Sequence, residues 1–415
     1  MTKELKSVID SCWNRIWSDG VSNPIHAIEI ISIALLAIKV TTKIDSSPSD
    51  FTNWTPKSAA LLLKNELGID FIHVSESISP ETFRFVLTEI SKSNISTRKD
   101  GAGDALEYAL GHLSTAGRFG QFRTPGHIAS FMAQCLPISN SSVILDPSMG
   151  TAGFLIAAFE EFSDRNLKLL GDEIDPSMAQ IGNANLAVHG TNYEVRRTNA
   201  LENLSEEADF ILANPPFAGK VTDKHSIALT SKSSKTEVLF LELITHRLRK
   251  NGWAAVILPI SVLSNEDAHT SLMRQHLMKL GRVAAVLELP SGVFRPYTDV
   301  RTAILFWQKG SPTNDVIMWK VGSDGFTLDD RRRAIAENEL VAIQSEVQGV
   351  LLGLDLLEKG LKVNIETIED QDFCLLPSRY LSHEPTVRKT GDYDELMKNA
   401  ESSLMEIISE LRSLR

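Results

Sequence analysis

Val143-Ile144-Leu145-Asp146-Pro147-Ser148-Met149-Gly150-Thr151-Ala152-Gly153-Phe154 reads as a short apolar strand, a turn of small residues, and the opening of an apolar helix that continues to Phe162. Small residues in the turn let a ligand approach the backbone, and the helix N-terminus supplies free N–H groups. The pattern recurs outward. Leu169-Leu170 leads to Asp172-Glu173, and Pro176–His189 has helical spacing. Phe210–Leu212 is a strand, Leu239–Leu248 a helix, and Trp253–Leu258, Val283–Leu289 and Ala303–Trp307 are strands. This strand–helix alternation from about residue 116 to 325 predicts an α/β fold with a parallel, doubly wound sheet. Ligands of such sheets sit at the C-terminal ends of the strands. The turn has neither G-x-G-x-x-G nor G-x-x-x-x-G-K-[ST] spacing, which argues against a dinucleotide or a nucleoside triphosphate.

Residues 1–115 read as a helical domain. Ser22-Asn23-Pro24 and Ser79-Pro80-Glu81 are helix starts, Ile25–Thr42 repeats apolar residues at helical spacing, and Asp104–Leu113 is a further short helix. Residues 91–103 have the composition of a linker. The apolar stretch Ile28–Val40 is interrupted by Glu29, Ser32 and Lys39, so a buried helix is expected rather than a membrane span. Residues 326–415 return to charged, helical sequence, and Leu396, Ala400, Leu404, Ile407, Ile408 and Leu411 share one helical face. That face would pack on its own domain or pair with another subunit.

The chain has 415 residues, of which 43% are hydrophobic, and a net charge of −11. An acidic protein does not grip DNA over its whole surface, so basic groups must be local or come from a partner. Cys12, Cys135 and Cys374 have no metal-ligand spacing, and no metal is expected. A reduced, cytoplasmic protein fits this usage, and the N-terminus lacks the apolar core of a signal peptide.

A second segment carries the chemistry. Ala208-Asp209-Phe210-Ile211-Leu212-Ala213-Asn214-Pro215-Pro216-Phe217 is a strand ending in a stiff polar turn. The Asn214 side chain and the carbonyl after it offer acceptors to an NH2 group, the prolines fix the backbone, and Phe217 offers a face for stacking. That is equipment for methylating an exocyclic amine, although a plain Asn-Pro turn uses the same residues. Glu173, after the second strand, is placed to accept hydrogen bonds from both hydroxyls of a ribose. Asn199, after a third, is placed to meet an adenine ring. Lys220, Lys224, Lys232 and Lys235 lie in a Ser/Thr-rich loop, and Arg331–Arg333 form a short basic run. Solvated loop residues explain both as well as phosphate contacts do. His189, His246 and His269 fit core or surface roles.

The stretch from Gly120 to Phe306 resembles the adenine-N6 group of amino-methyltransferases that use S-adenosyl-L-methionine. Asp146–Phe154 is similar to their methionine-moiety loop, which implies cofactor contacts from Asp146, Pro147, Gly150, Thr151, Gly153 and Phe154, with Glu173, Asn199 and Asn214. Asn214-Pro215-Pro216-Phe217 is similar to their catalytic turn. Gly120–Pro125 is similar to the segment that closes over the cofactor, adding Phe122, Thr124 and Pro125. More narrowly, the chain resembles the modification subunit of type I restriction–modification systems. Leu289–Phe306 (LPSGVFRPYTDVRTAILF), Asp324–Arg331 (DGFTLDDR), Asp372–Tyr380 (DFCLLPSRY) and the helical region around Trp17 carry that likeness. The family often has Gly where this chain has Ala152, and the chain is shorter than most such subunits.

This resemblance implies direct methyl transfer to a flipped-out adenine; the residues themselves offer Phe217 for stacking, Phe294 or Tyr297 as the other wall of the pocket or as ordinary core or loop packing, and Phe240 beside the cofactor adenine or on a buried helix face. It also implies double-stranded DNA, a DNA specificity subunit, a restriction nuclease subunit and two copies per complex as partners, with no membrane. The alternatives are an amino-methyltransferase acting on protein glutamine or RNA, whose enzymes share the Asn-Pro-Pro turn, and an inactive methyltransferase-like scaffold.

Overall fold

The computed structural model describes residues 2–381, apart from 45–50, 72–77, 94, 96–100, 116–123, 206, 218, 222–232, 355 and 356. Among the described residues, five α-helices open the chain: α1 (Lys3–Ser18), α2 (Pro24–Ile44), α3 (Pro56–Leu67), α4 (Pro80–Lys92) and α5 (Gly101–Thr115). Ser79 caps α4, its hydroxyl accepting from the Thr82 N–H, with Pro80 in the first turn. α2 has the length and apolarity of a membrane span, but 72% of that stretch is buried inside the protein. A helix apolar on all sides must be covered on all sides, and α1, α3, α4 and α5 pack around it. The covering extends to α8 (Pro176–His189), whose Met178, Ile181, Ala184 and Val188 belong to the same core.

α5 begins at Gly101, inside the stretch read as a linker, and α4 runs to Lys92. Gly103 is there for packing: a Cβ on it would lie 2.4 Å from the buried His189 ring on α8. A glycine that permits close helix approach looks in sequence like a loop residue.

The second layer is a nine-stranded sheet flanked by helices. It contains β1 (Val143–Asp146), β2 (Lys168–Glu173), β3 (Tyr193–Arg197), β4 (Ala208–Ala213), β5 (Leu248–Pro259), β6 (Gly281–Glu288), β7 (Thr302–Lys309), β8 (Asp315–Lys320) and, after the β9–β10 ribbon (Asp324–Phe326, Ala334–Asn338), β11 (Leu361–Asn364). The order is β11-β8-β6-β7-β5-β4-β1-β2-β3. α6 (Gly126–Cys135), α7 (Gly153–Glu161), α8 and α12 (Glu339–Leu351) form one contiguous helical layer, while the short α10 (Ile260–Ser264) leads into α11 (Ala268–Leu280), which packs with α9 (Thr236–Arg247).

The sheet is mixed, which corrects the expectation of a wholly parallel one. β7 lies between β5 and β6 and is antiparallel to both, and β11 is antiparallel to β8. Parallel neighbours need a long crossover, usually a helix. The β6–β7 connection, residues 289–301, has only turns, so the chain folds back on itself. Nor is the sequence after residue 326 helical throughout, since β10 and β11 interrupt it. The apolar helical face from Leu396 to Leu411 lies outside the described residues.

The topology fixes where a ligand can go. The chain winds outward from β1 through β2 to β3, then returns to place β4 on the other side of β1. Strand order reverses between β1 and β4, and the loops leaving these strands diverge there and open a crevice.

A cleft at the switch point

A cavity of about 400 Å³ occupies that crevice. Thr124, Asp146, Pro147, Gly150, Thr151, Gly153, Phe154, Glu173, Asn199, Asn214, Pro215, Pro216, Phe217, Phe240 and Tyr297 all line it. Four loops that are distant in sequence therefore meet, each leaving the C-terminal end of β1, β2, β3 or β4. Of the other expected site residues, Phe122 lies outside the described residues and Pro125 forms the N-cap position of α6. Phe294 is buried behind Phe217, edge-on to it with ring centroids 6.4 Å apart. It supports the cleft's aromatic face from behind.

The loop after β1 is held at three points. The Met149 N–H donates to the Asp172 carbonyl at 3.0 Å, the Ser148 N–H to Asp146 Oδ1 at 3.0 Å, and the Gly150 N–H to Glu173 Oε2 at 2.9 Å. Ala152 then enters α7 with φ at 66°. An L-residue is strained there by about 1 kcal/mol. The Ala152 methyl is fully buried, and its packing offsets part of that strain.

α8 comes so close to this loop that Gly182 has no room for a side chain. A Cβ there would lie 2.7 Å from the Gly150 carbonyl oxygen and 2.8 Å from Met149 Cε. Backbone cannot yield as a flexible side chain can. Gly182→Ala is therefore expected to lower the free energy of unfolding by about 1–3 kcal/mol, as overpacking does, measured by urea unfolding. Asn185, one turn further along α8, donates to the Thr151 carbonyl at 2.9 Å and to Glu107 Oε1 on α5 at 3.1 Å. The helical layer thus reaches the cleft loop through one buried amide. No motif announces Asn185 in the sequence.

Glu173 uses both carboxylate oxygens, accepting from Gly150 N–H and, at 2.8 Å, from Asp175 N–H. Burial pushes its carboxyl above the usual range, partly countered by those two bonds. Asp146 lies deeper, 1% exposed, and burial together with the nearby Glu173 and Asp172 charges pushes it up to about 8. A carboxyl raised in the fold stays protonated after the unfolded chain has ionised, so it costs stability as pH rises from about 4 to about 8. Asp146→Asn keeps an acceptor for Ser148 and cannot titrate. The variant is expected to lose less stability over that window than the wild type, by roughly 1 kcal/mol per pH unit, in urea unfolding across a pH series.

The Asn214 side chain is oriented by its neighbours. Its Nδ2 donates to Thr124 Oγ1 at 3.0 Å, while its Oδ1 is buried with no hydrogen-bond partner among the described residues. An unmet buried acceptor costs about 1–3 kcal/mol, so this atom is poised for a donor. Ser148 Oγ donates to the Asn214 carbonyl at 3.4 Å, and Thr236 Oγ1 to the Pro216 carbonyl at 2.9 Å. Thr236, at the start of α9, is a second contributor that sequence reading passes over.

Asn199 has its amide committed locally. Its Oδ1 accepts from the Leu201 N–H at 3.2 Å, capping a 3-10 turn, and its Nδ2 donates to Glu202. Lys235 pairs with Asp267 at 2.9 Å, Lys220 is exposed, and Lys224 and Lys232 lie outside the described residues. Arg331 and Arg333 are exposed, but Arg332 bonds Asp324. His189 is buried, whereas His246 and His269 are exposed.

The cleft sets a buried acceptor after β4 and an acid after β2. The family model for N-6 DNA Methylase matches residues 97–389. The chain belongs to the N-6 DNA methylase family. Among its relatives, the type I restriction enzyme EcoEI methylase subunit of Escherichia coli is 31% identical over 56% of this chain and 52% of its own length. The HindI methylase subunit of Haemophilus influenzae is 24% identical over 74% of each chain. The chain thus spans about half the length of the first of these relatives. The crystal structure of a type I restriction–modification methyltransferase subunit from Streptococcus thermophilus shares the fold, with a TM-score of 0.69 over 90% of this chain and 98% of that one, at 17% identity.

Proposed function

We propose that this N-6 DNA methylase is a site-specific adenine-N6 DNA methyltransferase that uses S-adenosyl-L-methionine, and is the modification subunit of a type I restriction–modification system. The observation that carries the reading is Asn214 Oδ1, which has no hydrogen-bond partner among the described residues and is held at the end of β4 by the Thr124 bond to its Nδ2.

The cleft's donor set suits the cofactor. Glu173 retains acceptor capacity for ribose hydroxyls after bonding Gly150 and Asp175, because a carboxylate has about four lone-pair sites. Asp146 sets an acid near the loop that opens α7, and Phe240 offers an apolar wall. When bound, S-adenosyl-L-methionine supplies an electrophilic methyl group. The chain's own residues do the rest. Asn214 Oδ1 and the Pro215 carbonyl accept from the two amine hydrogens of adenine, which draws the nitrogen toward a pyramidal geometry and frees its lone pair. Thr124 holds the amide so that the oxygen faces the amine. Phe217, braced by Phe294, gives the extruded base a face to stack on, repaying part of the cost of unpairing. Tyr297 closes the cleft. Catalysis is then largely positioning and electrostatics.

Double-stranded DNA is the proposed substrate, read by a separate specificity subunit and served by two copies of this chain, with a restriction nuclease as a further partner. A net charge of −11 accords with borrowing the DNA reader, and buried thiols at Cys12 and Cys135 accord with a cytoplasmic setting. The region 326–415 is the proposed partner-facing part. The test is methyl transfer from labelled S-adenosyl-L-methionine to duplex DNA, with and without the specificity subunit. Transfer only with that subunit supports the reading. Cofactor binding without transfer to DNA in either case refutes it.

A further inference from the structure

The Asp324–Arg331 motif lies outside the cleft, and methyl transfer as derived above makes no use of it. In the fold it opens the β9–β10 ribbon, and its first residue is the centre of a buried polar node. Asp324 is fully buried. His127 Nε2 donates to its Oδ2 at 2.9 Å, and Arg332 bonds the same oxygen. Phe326 lies against the His127 ring, with centroids 4.4 Å apart, and the Arg332 guanidinium lies over the Phe326 ring, 5.5 Å from its centroid. The bonds from His127 and Arg332 outweigh burial and hold the Asp324 carboxyl below the usual range. A buried carboxylate with two cationic or donating partners is expensive to disrupt, because removing one side leaves a charge uncompensated.

What the node joins gives it meaning. His127 lies in the first turn of α6, three residues after Thr124, whose Oγ1 accepts from Asn214 Nδ2 at 3.0 Å. The same ribbon reaches the loop after β6. A Cβ on Gly292 would lie 2.7 Å from the Leu328 carbonyl oxygen, and Arg295 Nη1 donates to that oxygen at 3.4 Å. That loop carries Phe294, which backs Phe217, and Tyr297, which lines the cleft. One ribbon therefore braces both the segment that orients Asn214 and the loop that supplies the aromatic face.

We infer that the β9–β10 ribbon, through Asp324, is a positioning element that holds the Thr124 side and the Phe294–Tyr297 side of the cleft in register. Its consequence for methyl transfer rests on the proposed function. Asp324 touches neither the proposed base nor the cofactor, and acts through His127 and Thr124. Misplacing reacting groups by about 1 Å can cost about 100-fold in rate.

The test uses the full chain with Asp324→Asn, and with Asp324→Ala as the more severe change. Hydrogen exchange read by mass spectrometry is the first measurement. The amides of Ile128 and Ala129, which donate to the Pro125 carbonyl, and those of Tyr297 and Thr298, which donate to the Phe294 carbonyl, are expected to exchange at least about tenfold faster in Asp324→Asn. β1 and β4 should stay as protected as in the wild type. Faster exchange confined to residues 324–338, or to one side of the cleft alone, overturns the inference whatever the activity. The second measurement is methyl transfer by the complex with its specificity subunit. Asp324→Asn should lower kcat by about 10–100-fold while S-adenosyl-L-methionine affinity, from calorimetry, stays within about threefold. Combined with Thr124→Val, it should be no slower than the slower single variant, since both act through one bond. Additive losses overturn the inference. A wild type that binds the cofactor but methylates no adenine refutes the functional reading instead, and the exchange data then decide the coupling alone.

Discussion

Asn214→Ala is expected to lower kcat for adenine methylation by about 10²–10³-fold, the loss typical when one preorganised hydrogen-bonding group is removed from a reacting centre. Oδ1 is the atom responsible. It is buried, it has no hydrogen-bond partner among the described residues, and Thr124 fixes it in place by taking Nδ2. Cofactor affinity should change by less than about tenfold, because Glu173 and the loop after β1 remain intact. Asn214→Asp separates the acceptor from its orientation. It keeps an oxygen toward the amine but loses the donor that meets Thr124, so an intermediate kcat is expected. Steady-state kinetics with calorimetric Kd values checks both. A fall in affinity with kcat unchanged would place Asn214 in binding rather than in the transition state.

Glu173→Ala should act on the other half of the cleft, raising the Kd for S-adenosyl-L-methionine by about 100-fold or more. Two effects combine. The proposed ribose acceptor disappears, and the Gly150 N–H loses the carboxylate oxygen that holds it at 2.9 Å. Hydrogen bonds to charged groups contribute about 1.5–3 kcal/mol each. Glu173→Gln retains one acceptor oxygen and should fall between. Calorimetry on the ligand-free chain gives the Kd. An unchanged value in Glu173→Ala would remove this residue from the cofactor site.

Sequence pattern carried the parts of this protein that are local. α8 coincides with the Pro176–His189 reading because Asp175 caps it, Pro176 starts it and Gly190 ends it in the left-handed region. The cleft loops were legible for a similar reason: Gly, Pro and Asn punctuate the ends of apolar strands. Strand direction was not legible. An apolar run such as Ala303–Trp307 looks the same parallel or antiparallel, and only the helix-free connection before it hinted at β7's reversal. Contacts between distant segments were silent too. His127 and Asp324 are 197 positions apart, and Asn185 meets Glu107 across 78. Neither pair leaves a spacing that could be read. Asn199 shows the limit from the other side: it lines the cleft, but its amide caps the turn that follows.

The most direct test of the central claim is to identify the methylated atom. Duplex DNA treated with the complex and labelled S-adenosyl-L-methionine would be digested to nucleosides and analysed by mass spectrometry, with Asn214→Ala beside the wild type. Label in N6-methyl-deoxyadenosine from the wild type, and about 100-fold less or lower from Asn214→Ala, is the expected result. Label on a cytosine, no labelled nucleoside from the wild type, or equal adenine methylation by Asn214→Ala, would contradict it.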